Sequence, residues 1–344
     1  MARREYDESD ARVRPSRRGS RPRTKIRPSH ESAITAVVTT IDRGRYTVEL
    51  LEDGDSPAGT VVTAVKAREL GRRGLVIGDR VAVVGDTSGR PDTLARLVRR
   101  EERRTELRRT ADDADPTERV IVANADSLAI VTALADPEPN PRMIDRCLVA
   151  AFDAGMDAVL VLTKADLADA TPLRDAYEPL GVHVVETQVL RDGGAEADPG
   201  FRELRDAVAG RDTVLVGYSG VGKSTLVNAL VPDAGRAVGR VNDVTGRGRH
   251  TSTSAIRYGL PEGGHIVDTP GVRTFGLAHV DPQHFVAAFP DVAEAAERLC
   301  PRGCTHESAD AGCALDAWAE TPEQHARVDS IRRLLASRAA AAEW

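Results

Sequence analysis

The sequence predicts a multidomain chain, with a small N-terminal β domain, a central α/β domain built on a mostly parallel sheet, and a short helical C-terminal domain stapled by a metal ion. Three observations carry this. Residues 31–98 read as short β-branched runs punctuated by Gly54, Gly59, Gly71, Gly74 and Gly78. From Arg119 onward, apolar strands alternate with helical patterns. Three of the four cysteines crowd into Cys300–Cys313, which in a cytosolic chain points to metal rather than to disulfides. The expected division is 1–30 as a basic, disordered tail, 31–112 as the β domain, 113–280 as the α/β domain and 281–344 as the metal-binding helical domain.

Composition bounds the rest. At 344 residues and 41% hydrophobic the chain can bury its cores, but aromatics are only 3%, so Val, Leu, Ala and Ile must fill them. No run of 18 apolar residues predicts a membrane span, and no apolar N-terminal stretch resembles a secretory leader. A cytoplasmic protein with no membrane partner is expected. The net charge of −6 hides an asymmetry, because Ala11–His30 holds eight Lys or Arg and no Asp or Glu. Such a block reads either as a nucleic-acid-binding arm or as a solubilising tail.

The elements follow in order. Ile34–Thr40, Arg45–Leu51, Thr60–Val65 and Asp79–Val84 are β-branched or alternating, and about five such strands fit a small barrel of the oligonucleotide-binding (OB) type or a sandwich. Arg96–Arg109 interleaves seven Arg with three Glu; it reads as a solvated helix face with i,i+4 pairs or as an RNA-facing edge. The acidic Ala111–Thr117 reads as a linker. Val120–Ala123, Leu128–Ala133, Ala158–Leu162, His183–Val185 and Thr213–Val216 are apolar strands. Asn140-Pro141 opens a helix that Gly155 closes, and a second helix spans Phe201–Val208. Ala255–Tyr258 and His265–Val267 form a hairpin around Glu262-Gly263-Gly264. Asp281-Pro282 opens a short helix, and Thr321-Pro322-Glu323-Gln324 is a capping box that opens the terminal one.

Gly217-Tyr218-Ser219-Gly220-Val221-Gly222-Lys223-Ser224, followed by Thr225, joins a strand to a helix. Its glycines let backbone N–H groups converge on phosphate oxygens at a helix N-terminus. Lys223 neutralises β- and γ-phosphates, and the Ser224 hydroxyl ligates Mg²⁺. Asp268-Thr269-Pro270-Gly271 supplies a Mg²⁺-side carboxylate at a strand end and, at Gly271, a backbone N–H for the γ-phosphate. Between these segments, Gly246–Ser254 suits a mobile switch, with Thr251, or else Thr253, as a further Mg²⁺-side hydroxyl. Thr163-Lys164-Ala165-Asp166 ends a strand earlier in the chain. There Asp166 can accept from guanine N1–H and N2, Lys164 can lie along the base, and the Thr163 hydroxyl can donate to a base nitrogen. Thr187, in Glu186-Thr187-Gln188, sits where a base-supporting loop belongs. Val272 occupies the position of a water-orienting Gln and cannot do that work, so another group must. Cys300, Cys304, His306 and Cys313 make a closed set of four tetrahedral Zn²⁺ ligands, hence one structural ion. Cys147 lies in an apolar helical pattern and reads as core.

The base-reading element precedes the phosphate loop, which reverses the usual order of a GTPase. These motifs, in this order, resemble the circularly permuted, ribosome small-subunit-dependent GTPase A family over about residues 31–320. The resemblance implies an OB-type β-barrel, a circularly permuted P-loop GTPase domain and a zinc-binding domain. It implies GTP hydrolysis to GDP and phosphate that the small ribosomal subunit stimulates during its late maturation and that drives release of the enzyme. GTP or GDP, Mg²⁺ and one Zn²⁺ are the implied cofactors, and the small subunit and its rRNA the implied partners of a monomer. His250 matches the family's catalytic histidine, beside Lys223 and Thr251.

Overall fold

In the computed structural model, which describes residues 30, 32–53, 56–71, 74–112, 115–188, 194–232, 255–269, 275, 286, 289–308 and 312–342, five strands close into a barrel. They are β1 (Ile34–Asp42), β2 (Arg45–Leu50), β3 (Val61–Lys66), β4 (Arg80–Gly85) and β5 (Ala95–Arg100), in the order β1-β2-β3-β5-β4. Alternate residues turn inward, so Val48, Leu50, Val62, Ala64, Val81, Val83 and Leu97 form the barrel core. Pairing is antiparallel except for β3 against β5. This is the OB-type barrel.

The arginine-rich run is not a helix. It divides between β5 and a further strand, β6 (Glu106–Asp112). Leu97, Thr105 and Leu107 are buried, whereas Arg96, Arg99 and Arg108 are exposed, so a two-residue period prevails over helical charge pairing. The segment expected to be a linker contributes instead to the paired strands of an antiparallel hairpin, β6 and β7 (Asp115–Ala123). The expected boundary between residues 112 and 113 therefore falls inside a hairpin.

This hairpin region fastens the barrel to the rest of the chain. Arg103, with its side chain only 7% exposed, grips the fully buried Asp79 through two hydrogen bonds of 2.6 and 2.9 Å. Ala123 N–H donates to the Ile77 carbonyl at 2.9 Å and the Asn124 amide donates to the Gly78 carbonyl at 2.8 Å. At Gly78 a Cβ would lie 2.0 Å from the Ala123 carbonyl oxygen, so no other residue permits this approach.

The second sheet has six strands: β8 (Ser127–Ala133), β9 (Asp157–Thr163), β10 (His183–Thr187), β11 (Asp212–Val216), β12 (Ile256–Gly259) and β13 (His265–Asp268). Their spatial order is β10-β9-β8-β11-β13-β12, parallel except at the β12–β13 hairpin. Helix α1 (Pro141–Asp153) covers one face with Ile144, Cys147 and Leu148. Its start is the expected one: the Asn140 side chain accepts from Met143 N–H at 3.2 Å, with Pro141 in the first turn. Helices α3 (Pro199–Val208) and α4 (Lys223–Leu230) cover the other face with Phe201, Leu204, Leu226 and Leu230. The short α2 (Thr171–Tyr177) links β9 to β10. Cys147 is core as expected, and burial pushes its thiol far up, which leaves it inert.

At the C-terminal end lie α5 (Pro290–Leu299), α6 (Leu315–Trp318) and α7 (Pro322–Ala342). The capping box forms as expected: Gln324 N–H donates to Thr321 Oγ1 at 3.2 Å and Thr321 N–H donates to Gln324 Oε1 at 3.1 Å. Val328, Ile331, Leu334 and Leu335 join the same core as α1. Arg333 stacks 5.0 Å over the Tyr177 ring and faces buried Asp145 at 3.5 Å. The helix expected at Asp281 lies outside the described residues. No helix among the described residues is long and apolar enough to cross a membrane.

A second joint holds the barrel. Arg257 on β12, 5% exposed, bridges Glu49 of β2 at 3.3 Å and Asp212 of β11 at 3.0 Å. His265 Nδ1 lies 2.8 Å from Asp212, and its Nε2 lies 3.6 Å from Glu49. Burial alone would lower the His265 pKa, but hydrogen bonds to Asp212 and Glu49 raise it above its ordinary 6.5. Glu49 is lowered, first by His265; Asp212 is lowered too, because His265 and Arg257 outweigh its burial. A raised histidine stabilises the fold below about pH 6.5 and loses that contribution as pH climbs through its folded value. The lowered carboxylates contribute above about pH 4.5 and lose it as pH falls through their folded values. The joint is therefore tightest between these limits. Urea midpoints measured from pH 5 to 8 are expected to decline more for wild type than for His265→Gln; parallel curves would refute the assignment.

Candidate functional site

The chain enters the sheet at β8, winds outward through β9 to β10, returns to the centre at β11, then passes to the opposite edge at β12, from which a hairpin brings β13 in beside β11. Neighbours β8 and β11 thus send their following loops in opposite directions. In such sheets the crevice at the carboxyl ends of the strands, at this reversal, is where ligands bind. The loops that meet there follow β8, β9, β10, β11 and β13.

The phosphate-loop sequence occupies the end of β11. Gly217 adopts φ 151°, and a Cβ on it would lie 2.2 Å from the Val131 carbonyl oxygen of β8. Glycine is thus required for the loop to pass over the neighbouring strand. Val221 is buried and pins the loop to the core beneath α4, while Ser219, Gly220 and Ser224 are exposed and Thr225 is half-buried. Gly222 caps α4, whose first residue is Lys223. The Lys223 ammonium donates to the Gly217 and Tyr218 carbonyls at 2.6 and 2.7 Å. The loop's own oxygens therefore hold the cation over the concavity where anionic oxygens would sit. Asp268 ends β13, with its neighbour Thr269 tied to the Leu215 carbonyl at 2.8 Å. Burial raises the Asp268 pKa, and the Lys223 charge opposes the rise. Hard oxygen donors from Ser224 and Asp268 at this place suit Mg²⁺. His250, Thr251, Thr253 and Gly271 lie outside the described residues.

The base-reading turn ends β9, one strand beyond β8. Asp166 is exposed, and Lys164, at φ 54°, donates from its ammonium to the Asp136 carbonyl. The geometry changes two of the expected roles. Thr163 does not direct its hydroxyl proton at a base: the side chain is buried, and Oγ1 donates to the Val221 carbonyl of the phosphate loop at 2.6 Å. Its single proton is committed there, so Thr163 joins the base turn to the phosphate loop. Thr187 likewise does not face the crevice with its side chain, being 1% exposed with its hydroxyl on buried Asp198. Its carbonyl accepts from Ala165 N–H at 3.3 Å, so it braces the base turn from behind.

Asp198 is the residue the motifs missed. It accepts from the Thr187 hydroxyl, from Gln188 N–H at 2.9 Å and from Gly200 N–H at 3.1 Å, and so fixes the loop after β10 as it caps α3. Asp-Pro at a helix start was its available signal. The Thr163 anchor yields a prediction. Thr163→Val keeps the shape and removes the proton, which leaves the buried Val221 carbonyl without its donor. Guanine nucleotide affinity is expected to fall about five- to fifteenfold, the worth of one such bond, in a fluorescent GDP titration; an unchanged affinity would remove Thr163 from the site.

Some distance along the chain, the ligand atoms of Cys300, Cys304, His306 and Cys313 lie within 4.8 Å of one another. Cys300 Sγ and Cys313 Sγ are 4.0 Å apart, and Cys313 Sγ is 3.7 Å from His306 Nδ1. Tetrahedral Zn²⁺ bonds of about 2.0–2.3 Å place ligand atoms roughly 3.5–3.8 Å apart, so the four residues fit one ion with little movement. Burial, then the neighbouring Cys313 and Cys304, push the Cys300 thiol up to about 11, although a backbone hydrogen bond pulls it down. A divalent cation is what lets such crowded thiols ionise. Arg332 of α7 braces the loop: it pairs with Asp316 at 2.6 and 2.7 Å and donates to the His306 carbonyl at 3.4 Å.

Comparison with known proteins agrees with this geometry. Residues 100–278 match the family model of the RsgA GTPase. A Pseudomonas putida protein named small ribosomal subunit biogenesis GTPase RsgA is 38% identical over 270 residues, 76% of this chain and 75% of that protein. A Pseudomonas aeruginosa protein of the same name is also 38% identical, across 76% of both chains. Among solved structures, YjeQ from Thermotoga maritima superposes with a TM-score of 0.60 at 23% identity, covering 88% of this chain and 98% of that one. YloQ, described as a circularly permuted GTPase, gives a TM-score of 0.60 at 20% identity over 89% of this chain and 96% of its own. Both superpositions show that the chain shares their fold. The family match spans just over half of the residues and the relatives three quarters, so the chain belongs to the RsgA GTPase family.

Proposed function

We propose that this chain is the GTP hydrolase of small ribosomal subunit maturation in its cell. On this reading it binds the subunit and its rRNA as a cytoplasmic monomer, hydrolyses GTP to GDP and phosphate faster when bound, and leaves on hydrolysis. The observation that carries the reading is the meeting of phosphate loop, Asp268 and base turn at the reversal point of the sheet. Membership of a GTPase family whose relatives are named for small-subunit biogenesis supports it. The closed barrel and the basic stretch Ala11–His30 offer surfaces for rRNA.

Each site residue has a proposed role. Backbone N–H groups of Ser219, Gly220, Val221, Gly222, Lys223, Ser224 and Thr225 cradle the phosphates, and the Lys223 ammonium offsets charge on the β- and γ-oxygens. Ser224, Thr251 and Asp268 are the oxygen donors for Mg²⁺, which when bound neutralises the charge that develops during transfer. Gly271 offers its N–H to the γ-phosphate. Asp166 accepts from guanine N1–H and N2, which adenine does not present. His250 orients the attacking water in place of the absent Gln. Cys300, Cys304, His306 and Cys313 hold one structural Zn²⁺.

The test is steady-state GTP hydrolysis with and without purified small subunits, for wild type and His250→Ala. Wild-type turnover is expected to rise at least tenfold with subunits, whereas His250→Ala keeps its GDP affinity and loses about 10²-fold of the stimulated rate, the scale of a lost acid–base or positioning group. Wild-type turnover indifferent to subunits would defeat the proposal.

A further inference from the structure

We propose that the cluster of Glu49, Arg257, Asp212 and His265 couples the barrel to the phosphate-sensing segments, with Arg257 as the positioning residue. The proposal rests on the nucleotide reading above. Its basis is where the β12–β13 hairpin lies in the chain. β12 starts at Ile256, one residue beyond the switch sequence Gly246–Ser254, and β13 ends at Asp268, the first residue of the second phosphate-sensing turn. Any shift of either segment is therefore passed to a strand of this hairpin by covalent connection.

The cluster decides where that strain goes. Among the described residues β12 is the edge strand of the sheet, hydrogen-bonded only to β13, and barrel strand β1 packs along it. An edge strand has ladder bonds on one side only and is the strand least constrained against sliding. What fixes it across the joint is Arg257, whose guanidinium is divided between Glu49 of the barrel at 3.3 Å and Asp212 at 3.0 and 3.2 Å. Asp212 is the root of β11, whose far end becomes the phosphate loop. His265, the first residue of β13, lies between the same two carboxylates. Barrel, hairpin and phosphate-loop strand thus share one half-buried set of charges. Such a set rearranges between discrete pairings rather than stretching. Arg257 Nε is buried without a hydrogen-bond partner among the described residues, so a donor is available for a second pairing.

The test compares amide exchange in the full-length protein with GDP and with a non-hydrolysable GTP analogue. In wild type, exchange in β1 and β2 is expected to differ between the two nucleotides. In Glu49→Gln, whose side chain is remote from the nucleotide, that difference is expected to shrink at least about threefold while GDP affinity stays within about twofold. Arg257→Gln should lose as much, and the double variant no more than either single one, as partners in one interaction do. A barrel that exchanges identically with both nucleotides, or a difference that survives Glu49→Gln, overturns the coupling alone. Failure of wild type to bind GDP overturns the nucleotide reading and the coupling with it.

Discussion

Changing Lys223 to Ala is expected to lower single-turnover GTP hydrolysis by about 10²–10³-fold, the scale on which a preorganised donor to developing charge acts. The ammonium is already aimed, held by the Gly217 and Tyr218 carbonyls at 2.6 and 2.7 Å before any ligand arrives. Little reorganisation is then needed when anionic oxygens replace those partners, and this makes the group worth more to the transition state than its charge alone would suggest. The fold should hardly notice, because each lost bond to a carbonyl is worth about 1 kcal/mol. Rapid-quench turnover and a urea midpoint on the same sample separate the two effects. A variant that turns over within about tenfold of wild type would show that Lys223 does not face the transferring phosphate.

Asp79→Asn is expected to destabilise the chain by about 3–5 kcal/mol, the cost of leaving a buried cation without its partner. Asp79 is fully buried and Arg103 is 7% exposed, and they meet through two short hydrogen bonds. The second Asp79 oxygen also accepts from Val76 N–H at 2.7 Å. Asn keeps the shape and one acceptor but presents an N–H₂ group toward the guanidinium. Glu106, 3.2 Å from Arg103, is the remaining counter-charge and is more exposed. An Asp79→Asn/Arg103→Met double variant, which removes both charges, should recover most of the loss. Urea titrations of the three proteins check this; a single-variant loss below about 1 kcal/mol would put the pair among ordinary surface bridges.

What the sequence disclosed follows the range of the interactions involved. Helix starts at Asn140-Pro141 and Thr321 depend on residues three or four apart and were legible to the residue. The phosphate loop and the cysteine cluster are likewise local, and the structure brings the cluster's four ligand atoms within reach of one ion. The Arg96–Arg109 run misled because its charges satisfy helical spacing as well as strand alternation, and only pairing with β4 and β7 decides between them. Val120–Ala123 reads as a strand of the main sheet because an apolar run does not name its partner, yet it pairs with β6. Thr163 kept its place but changed its role, because its partner is Val221, 58 positions away, and no local pattern reports such a distance. Both barrel joints are of this kind, since Asp79 meets Arg103, and Glu49 meets Arg257, only through tertiary closure.

The strand order has a consequence for how the protein is made. Synthesis delivers the barrel and β8 early, but the neighbour of β8 on its inner edge, β11, starts only at Asp212. All seven residues of β8 are buried in the finished sheet. While residues 134–211 are being added, for roughly 4–16 s at ribosomal speeds, that apolar strand waits with one edge open, a template for unwanted pairing. α1 and β9 shield it only in part. The half of the site that reads the base is thus complete before the half that grips phosphate exists, and Asp268 emerges later still. Guanine nucleotide therefore meets a finished pocket only after β11 has joined β8 and β13 has joined β11, while α5 to α7 are still to be packed.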